Sequence, residues 1–229
     1  RDKLVTGVQT CALPIFCRVG AIEVAHQTAP GIPSPIHAKL TTTLMPHPLH
    51  AIANNPARAF NYAVIIALVA MLLAGLLFHD MPRFEGKAWP ARAVAYPIAV
   101  LIVPIWWWRS DRTGRYPHVV AGLLVLPFVS DLAGNVANLF DTVQNFDDIL
   151  HFMNWTFLTA ALVIALSSLR LARWNRILLG TGFGAIAIII WEIVEYLIAE
   201  SGTSGLNLTY KDTISDLGLS TLGGLVGAT

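Results

Sequence analysis

Residues 146–169, FDDILHFMNWTFLTAALVIALSSL, decide the class of this protein. They carry Asp147, Asp148 and His151 at one end and no charged residue after His151. As a helix the stretch is about 36 Å long, enough to cross a hydrocarbon core of about 30 Å. We therefore predict a membrane span over residues 148–169. Asp147 and Asp148 lie four and three residues before His151, so all three share one helix face at its start.

The composition of the whole chain agrees with a membrane protein. Of its 229 residues, 55% are hydrophobic and only 13% are charged, and the mean hydropathy is +0.61. A soluble domain of this length has about a quarter charged residues. The net charge of +1 and the lack of a basic tract argue against a nucleic-acid partner, so the expected partner is the lipid bilayer. Cys11 and Cys17 form neither a disulfide framework nor a metal-ligand motif.

Further apolar stretches predict an all-α fold, a polytopic transmembrane helical bundle of about six spans. The predicted spans are residues 60–78, 93–108, 117–140, 148–169, 174–199 and 212–229. Because the chain stops within an apolar, glycine-rich run, we expect the last span to be truncated. Residues 5–15, VTGVQTCALPI, resemble the translation of a sequencing-library adaptor. We therefore interpret residues 1–44 as an adaptor-derived, read-through or disordered segment, and residues 45–229 as a single transmembrane domain.

The distribution of Lys and Arg predicts the orientation in the membrane. The side of the N-terminus has eight basic residues near the spans, or seven without Lys39, and the other side has four. We expect the N-terminus to face the cytoplasm of a bacterial cell. Trp106, Trp107, Trp108 and Trp174 lie beside arginines on that side and are typical of an interfacial aromatic belt.

Acidic residues of four spans are predicted to lie at one depth. Asp131 falls about 21 Å along the third span from Pro117, and Glu192 falls about 27 Å beyond Trp174. Both positions are near the outer end of the hydrocarbon core. His151 is one turn inside the same end of the fourth span, and the sixth span begins there. The sequence therefore predicts a shared polar site towards the periplasmic face.

The predicted site has an excess of carboxylates that lipid would not tolerate. Bound cations or protonation must offset their charge, because His151 and Lys211 are the basic residues expected nearby. Carboxylates and one imidazole suit Zn, Mn or Fe, and acid-x-x-His pairs inside bundles are typical of carboxylate-bridged metal proteins. The candidate ligands are Asp147, His151, Glu192, Glu195, Asp212 and Asp216; the candidate catalytic residues are Asp147, His151, Glu192 and Glu195.

Other polar residues accompany these acids on the same faces. We expect Asn135, Asn138, Asn154 and Thr213 to serve mainly as interhelical hydrogen-bonding groups, and we expect Asp141 to be a solvated loop residue. The supporting polar residues of the site are Asp131, Asn135, Asn154, Tyr196 and Thr213.

Three functions are open at this point. The first is a divalent-metal-dependent hydrolase of a lipid or small periplasmic substrate. The second is an ion- or proton-coupled transporter, which the apolar inner halves of spans three to five do not favour. The third is a structural membrane protein without a catalytic site.

Two glycine pairs have the spacing of close helix contacts. Gly180 and Gly184 lie in the fifth span, and Gly223 and Gly227 lie in the sixth. Both pairs are expected to bring these two spans together.

From Asp131 onwards the chain resembles the YjdF-like inner-membrane proteins of bacteria, a family without an assigned reaction. Residues 146–152 resemble its Tyr-Asp-x-x-x-His-Phe motif, matching at Asp147 and His151. Residues 192–196 are similar to its Glu-x-x-Glu-Trp motif, with Tyr196 in place of Trp, and residues 212–216 to its Asp-Thr-x-x-Asp motif. The family often has Lys where Asp148 stands, so the resemblance favours Asp147 as the partner of His151.

Overall fold

The structure is a computed structural model that describes residues 55–85, 87–110, 114–200 and 209–229. These ranges contain seven α-helices and no strand. The helices are α1 (Pro56–Leu77), α2 (Trp89–Arg109), α3 (His118–Val136), α4 (Leu139–Thr142), α5 (Phe146–Ala165), α6 (Arg173–Glu200) and α7 (Tyr210–Ala228). A 3₁₀ turn, Leu166–Leu169, extends α5. The interpretation of residues 1–44 lies outside the described residues.

The predicted helical membrane bundle is confirmed. Within the described ranges, five helices are long and apolar enough to cross a membrane: α1, α2, α3, α5 with its 3₁₀ extension, and α6. The sixth predicted span forms α7, which is not among these five. It carries Lys211, Asp212 and Asp216 in its first two turns.

Local signals at the helix ends explain where the helices depart from the predicted spans. The first helix begins four residues early because the Asn55 side chain accepts a hydrogen bond from the Arg58 amide and Pro56 occupies the first turn. The third helix ends at Val136 because Asn138 adopts a left-handed conformation with φ of 58°. Asn145, with φ of 61°, makes the second left-handed turn before α5. Asparagine tolerates this region better than most residues, so the α3–α5 connection is compact.

The bundle consists of two groups of helices joined through α3 and α5. The first group is α1, α2 and α3, and the second is α5, α6 and α7. The first group has the main apolar core, where Leu68 of α1 packs with Val125 and Leu132 of α3. Trp89 closes one end of this core against Gly75 and donates from its indole nitrogen to the Phe84 carbonyl at 2.9 Å.

Glycines allow α5, α6 and α7 to pack closely. Only one of the two predicted glycine pairs lies at the contact between spans five and six, as expected. Gly180 and Gly184 of α6 face Ala228 and Gly224 of α7, as predicted for spans five and six. Gly223 and Gly227 face the other way.

Those two glycines of α7 lie against the backbone of α5. A Cβ on Gly223 would collide with the Phe152 carbonyl oxygen, and one on Gly227 with the Thr156 carbonyl oxygen. The Thr156 hydroxyl also donates to the Gly223 carbonyl at 3.1 Å. The α7 helix is thus held between α5 and α6, with glycines on both sides.

The helices pack so that several of their ends lie together. The starts of α2, α5 and α7 meet the ends of α3 and α6, and we call this region the polar end of the bundle. The predicted convergence of the four acidic clusters depends on it.

Candidate metal site

Three residues of the polar end form a group that could hold a metal ion. Asp147 and His151 lie one turn apart at the start of α5, and Asp216 faces them from the second turn of α7. One carboxylate oxygen of each aspartate and one ring nitrogen of His151 all lie within 4.8 Å of one another. His151 and Asp216 are buried, whereas Asp147 is half-exposed. The group therefore has a closed side within the bundle and an open side at Asp147.

The spacing within this group suits a shared ion better than direct hydrogen bonds. His151 Nε2 lies 3.7 Å from Asp216 Oδ1 and 4.0 Å from Asp147 Oδ1. A hydrogen bond between nitrogen and oxygen is normally about 2.7–3.2 Å long. Two ligands about 2.1 Å from one tetrahedral ion lie about 3.4 Å apart. Both distances from Nε2 are somewhat longer than that value, and all three atoms lie within 4.8 Å of one another, so side-chain shifts would have to draw the ligands together to complete the coordination.

The buried Asp216 carboxylate is incompletely hydrogen-bonded within the described residues. Asp216 is only 3% exposed, and its Oδ1 atom, which faces His151, has no hydrogen-bond donor within the described part of the chain. An unsatisfied buried carboxylate oxygen carries a large desolvation cost. A cation between Asp216 and His151 would remove that cost.

The Ser220 hydroxyl orients the His151 imidazole through Nδ1, the ring nitrogen that does not face the aspartates. The hydroxyl lies 3.0 Å from His151 Nδ1, and both groups are buried. If Nδ1 carries the proton and donates to Ser220, the lone pair of Nε2 points towards the two aspartates. Metal-binding histidines commonly have such a partner on the second nitrogen, which fixes the tautomer. Ser220 lies four residues after Asp216 and so shares its helix face, but this spacing alone does not indicate a contact with His151.

Asp148 does not belong to the group of three. Its Oδ1 accepts a hydrogen bond of 2.8 Å from the Ser215 hydroxyl of α7. The structure thus separates the two neighbouring aspartates: Asp147 faces the imidazole, and Asp148 ties α5 to α7.

The remaining predicted ligands surround the group without joining it. Asp216 is within electrostatic range of Glu192 on α6 and of Asp212 on α7. Glu195 is in turn within range of Glu192 and Asp147. Glu192 is 8% exposed, and its Oε1 atom is buried without a hydrogen-bond partner. Metal-ligand roles for Glu192, Glu195 and Asp212 stay predictions.

The expectation that His151 and Lys211 are the basic residues near these carboxylates is wrong for Asp131, which has Arg92 beside it. Arg92, at the start of α2, binds Asp131 through Nε at 3.0 Å and Nη2 at 3.3 Å. The Tyr96 hydroxyl donates to the same carboxylate at 2.6 Å, and Asn135 donates at 3.2 Å. Asp131 is therefore neutralised within a cluster of its own that joins α2 to α3. The predicted second span began at residue 93, so Arg92 was counted as a loop residue.

The other supporting residues have separate surroundings. Asn154 accepts a hydrogen bond of 2.6 Å from the Ser130 hydroxyl, which joins α3 to α5. Tyr196 and Thr213 line a pocket beside Glu192, whereas Asp141 is exposed and pairs with Lys87 at 3.2 Å.

The fold and this site together define a polytopic helical membrane protein with a buried acidic and histidine cluster at one end. Residues 60–229 match the family described as Predicted membrane protein (DUF2238), and the chain belongs to that family. This confirms the resemblance to the YjdF-like membrane proteins and extends it from Asp131 back to the first helix. No curated protein and no solved structure matches the chain.

Proposed function

We propose that this protein is a divalent-metal-dependent hydrolase of the bacterial inner membrane, acting on a lipid or small periplasmic substrate. The observation that carries the proposal is the group formed by Asp147, His151 and Asp216, with a buried, unpartnered oxygen on Asp216. One imidazole and two carboxylates suit Zn, Mn or Fe. With three protein ligands, a four-coordinate ion keeps one position for water or substrate, as catalytic sites require.

The residues have distinct roles in this proposal. Asp147, His151 and Asp216 hold the ion, and Ser220 holds His151 in the tautomer that presents Nε2. A bound divalent ion supplies a Lewis acid and a water activated near neutral pH. Glu192 and Glu195, the nearby carboxylates of α6, would be the candidate proton acceptors. The half-exposed Asp147 marks the side from which substrate and water enter.

Orientation and location follow the distribution of charge. Several arginines lie at the helix ends opposite the site: Arg109, Arg115, Arg170, Arg173 and Arg176. By the positive-inside rule, this supports a cytoplasmic N-terminus. The polar end then faces the periplasm. Trp106, Trp108 and Trp174 support this arrangement, because all three are exposed near the helix ends opposite the site.

The alternative of ion- or proton-coupled transport requires a polar path across the bundle. Residues 119–130 of α3 and residues 177–191 of α6 contain no charged side chain. In α5 none follows His151. A hydrolytic site confined to one face therefore fits the distribution of charge better than a carrier does.

Hydrolysis can be tested directly. Purified protein, stripped with a chelator and reloaded with Zn, Mn or Fe, is incubated with bilayers of defined lipid composition. We expect release of a headgroup or acyl product that depends on metal and is lost in His151→Ala, while Glu200→Gln keeps it. Metal-independent proton flux in proteoliposomes, without any hydrolysis product, would contradict the hydrolase proposal and support the transporter alternative.

A further inference from the structure

A pocket of about 390 Å³ lies between α6 and α7 at the polar end. Its lining combines one carboxylate, two tyrosines, two threonines and one aliphatic side chain: Glu192, Tyr196, Tyr210, Thr209, Thr213 and Ile193. The pocket adjoins the candidate metal site, because Glu192 is within electrostatic range of both Asp216 and Asp147.

Glu192 indicates what kind of group the pocket accepts. The residue is 8% exposed, and its Oε1 atom is buried and has no hydrogen-bond donor among the residues that the structure describes. The nearby charges are negative, since Asp147 and Asp212 lie within electrostatic range of it. A buried carboxylate oxygen in such surroundings is best satisfied by a group that is positively charged and donates a hydrogen bond.

The two tyrosines suit the same kind of ligand. Tyr196 and Tyr210 both line the pocket and are exposed, so a ligand in the pocket can contact their rings. Aromatic rings attract ammonium groups through the negative face of the ring. A carboxylate and two tyrosines in the pocket lining together favour an alkylammonium group.

The exposed surface next to the pocket favours a lipid as the source of that group. Ile193 belongs both to the pocket and to an exposed apolar stripe of α6. The stripe also includes Ile186, Ile189, Ile190 and Leu197. Since α6 is long and apolar enough to cross a membrane, acyl chains can lie along this stripe while the headgroup enters the pocket.

We propose that the α6–α7 pocket binds the primary ammonium headgroup of a membrane lipid, with Glu192 as the hydrogen-bond acceptor. The proposal names the substrate class of the hydrolase and rests on that function for the reaction, but binding itself requires no metal. A primary ammonium satisfies Glu192 with an N–H donor, whereas a trimethylammonium group has none. The pocket should therefore discriminate between the two headgroups.

Native mass spectrometry of the full chain in detergent tests this discrimination. Chelator-treated protein is mixed with phosphatidylethanolamine, its mono- and dimethyl forms, and phosphatidylcholine, all with the same acyl chains. We expect bound lipid to decrease as N–H donors are replaced, with phosphatidylethanolamine preferred over phosphatidylcholine about tenfold. Equal binding of the four lipids would overturn the proposal.

Variants separate this proposal from the metal hypothesis. In chelator-treated protein, we expect Glu192→Gln to lose the headgroup preference and Glu200→Gln, the same change at the exposed end of α6, to keep it. His151→Ala should lose the metal and keep the preference. An unchanged preference in Glu192→Gln would overturn the role of Glu192, whatever the metal content. Displacement of bound lipid by an equal concentration of soluble phosphoethanolamine would overturn the lipid as the source.

Discussion

His151 of α5 and Asp216 of α7 face each other with 3.7 Å between the imidazole Nε2 and the carboxylate Oδ1. The two atoms are too far apart for a hydrogen bond, and Asp216 Oδ1 has no other donor. Asp147 Oδ1, 4.0 Å from the same nitrogen, completes the group. This arrangement distinguishes Asp147, His151 and Asp216, as a candidate metal site, from the other acidic residues at the polar end.

The two neighbouring aspartates of α5 should differ in their effect on metal binding. Asp147→Asn removes a proposed ligand, so we expect the affinity for Zn or Mn to fall at least tenfold. Asp148→Asn removes the same charge one residue away, where the carboxylate accepts from Ser215, and should change the affinity much less. Isothermal titration of both variants measures the difference. Equal losses would indicate a general effect of charge rather than coordination.

Removing the partner of the imidazole should weaken metal binding without removing a ligand. In Ser220→Ala, His151 Nδ1 loses its hydrogen bond, and we expect an affinity about 10- to 100-fold lower. Ser215→Ala is the matched control on α7, because Ser215 bonds Asp148 instead. The same titration checks this prediction, and an unchanged affinity in Ser220→Ala would contradict the positioning role.

Metal binding should also weaken on acidification. Protons compete with the ion for the imidazole and for both carboxylates, so occupancy at fixed free metal should fall as the pH is lowered. Equilibrium dialysis against buffered metal measures this. Occupancy that stays constant or rises as the pH falls would contradict coordination through His151.

The glycines of α7 that touch α5 should be intolerant of a methyl group. Gly223→Ala places a Cβ against the Phe152 carbonyl, and we expect the free energy of unfolding to fall by about 1–3 kcal/mol. Gly218→Ala on the same helix meets nothing within 4 Å and should be neutral or stabilising by up to about 1 kcal/mol. Denaturant unfolding in mixed micelles compares the two, and equal effects would contradict the close α5–α7 contact.

The Arg92–Asp131 pair should contribute to stability rather than to metal binding. Asp131→Asn weakens the charge-assisted hydrogen bonds from Arg92 and Tyr96, so we expect a loss of about 2 kcal/mol. The metal content should not change, because Asp131 is neutralised in a separate cluster. Unfolding and metal analysis of the same variant test both points. Loss of metal in a folded Asp131→Asn protein would show that Asp131 contributes to the metal site.

The helical bundle and the meeting of its polar ends could be predicted from the sequence, because helix rise and hydropathy fix the depth of each side chain. The partners of individual side chains could not. Arg92 is 39 residues from Asp131, and the predicted second span starts at residue 93, four residues after the helix begins at Trp89, so the prediction leaves Arg92 in a loop. The direction of Gly223 depends on the rotation of α7 about its axis, and glycine spacing alone does not show which neighbour it faces. Ser220 lies on the stripe of Asp216, yet only the packing of α5 on α7 pairs it with His151.

The most direct test of the central claim is the metal content of the purified wild-type protein, supplied with Zn, Mn and Fe, beside that of His151→Ala, Asp216→Asn and Asp148→Asn. The account predicts about one ion per chain in the wild type and in Asp148→Asn, and loss of that ion in folded His151→Ala and Asp216→Asn proteins. A wild-type protein that binds none of the three metals, or an ion retained in both His151→Ala and Asp216→Asn, would contradict it.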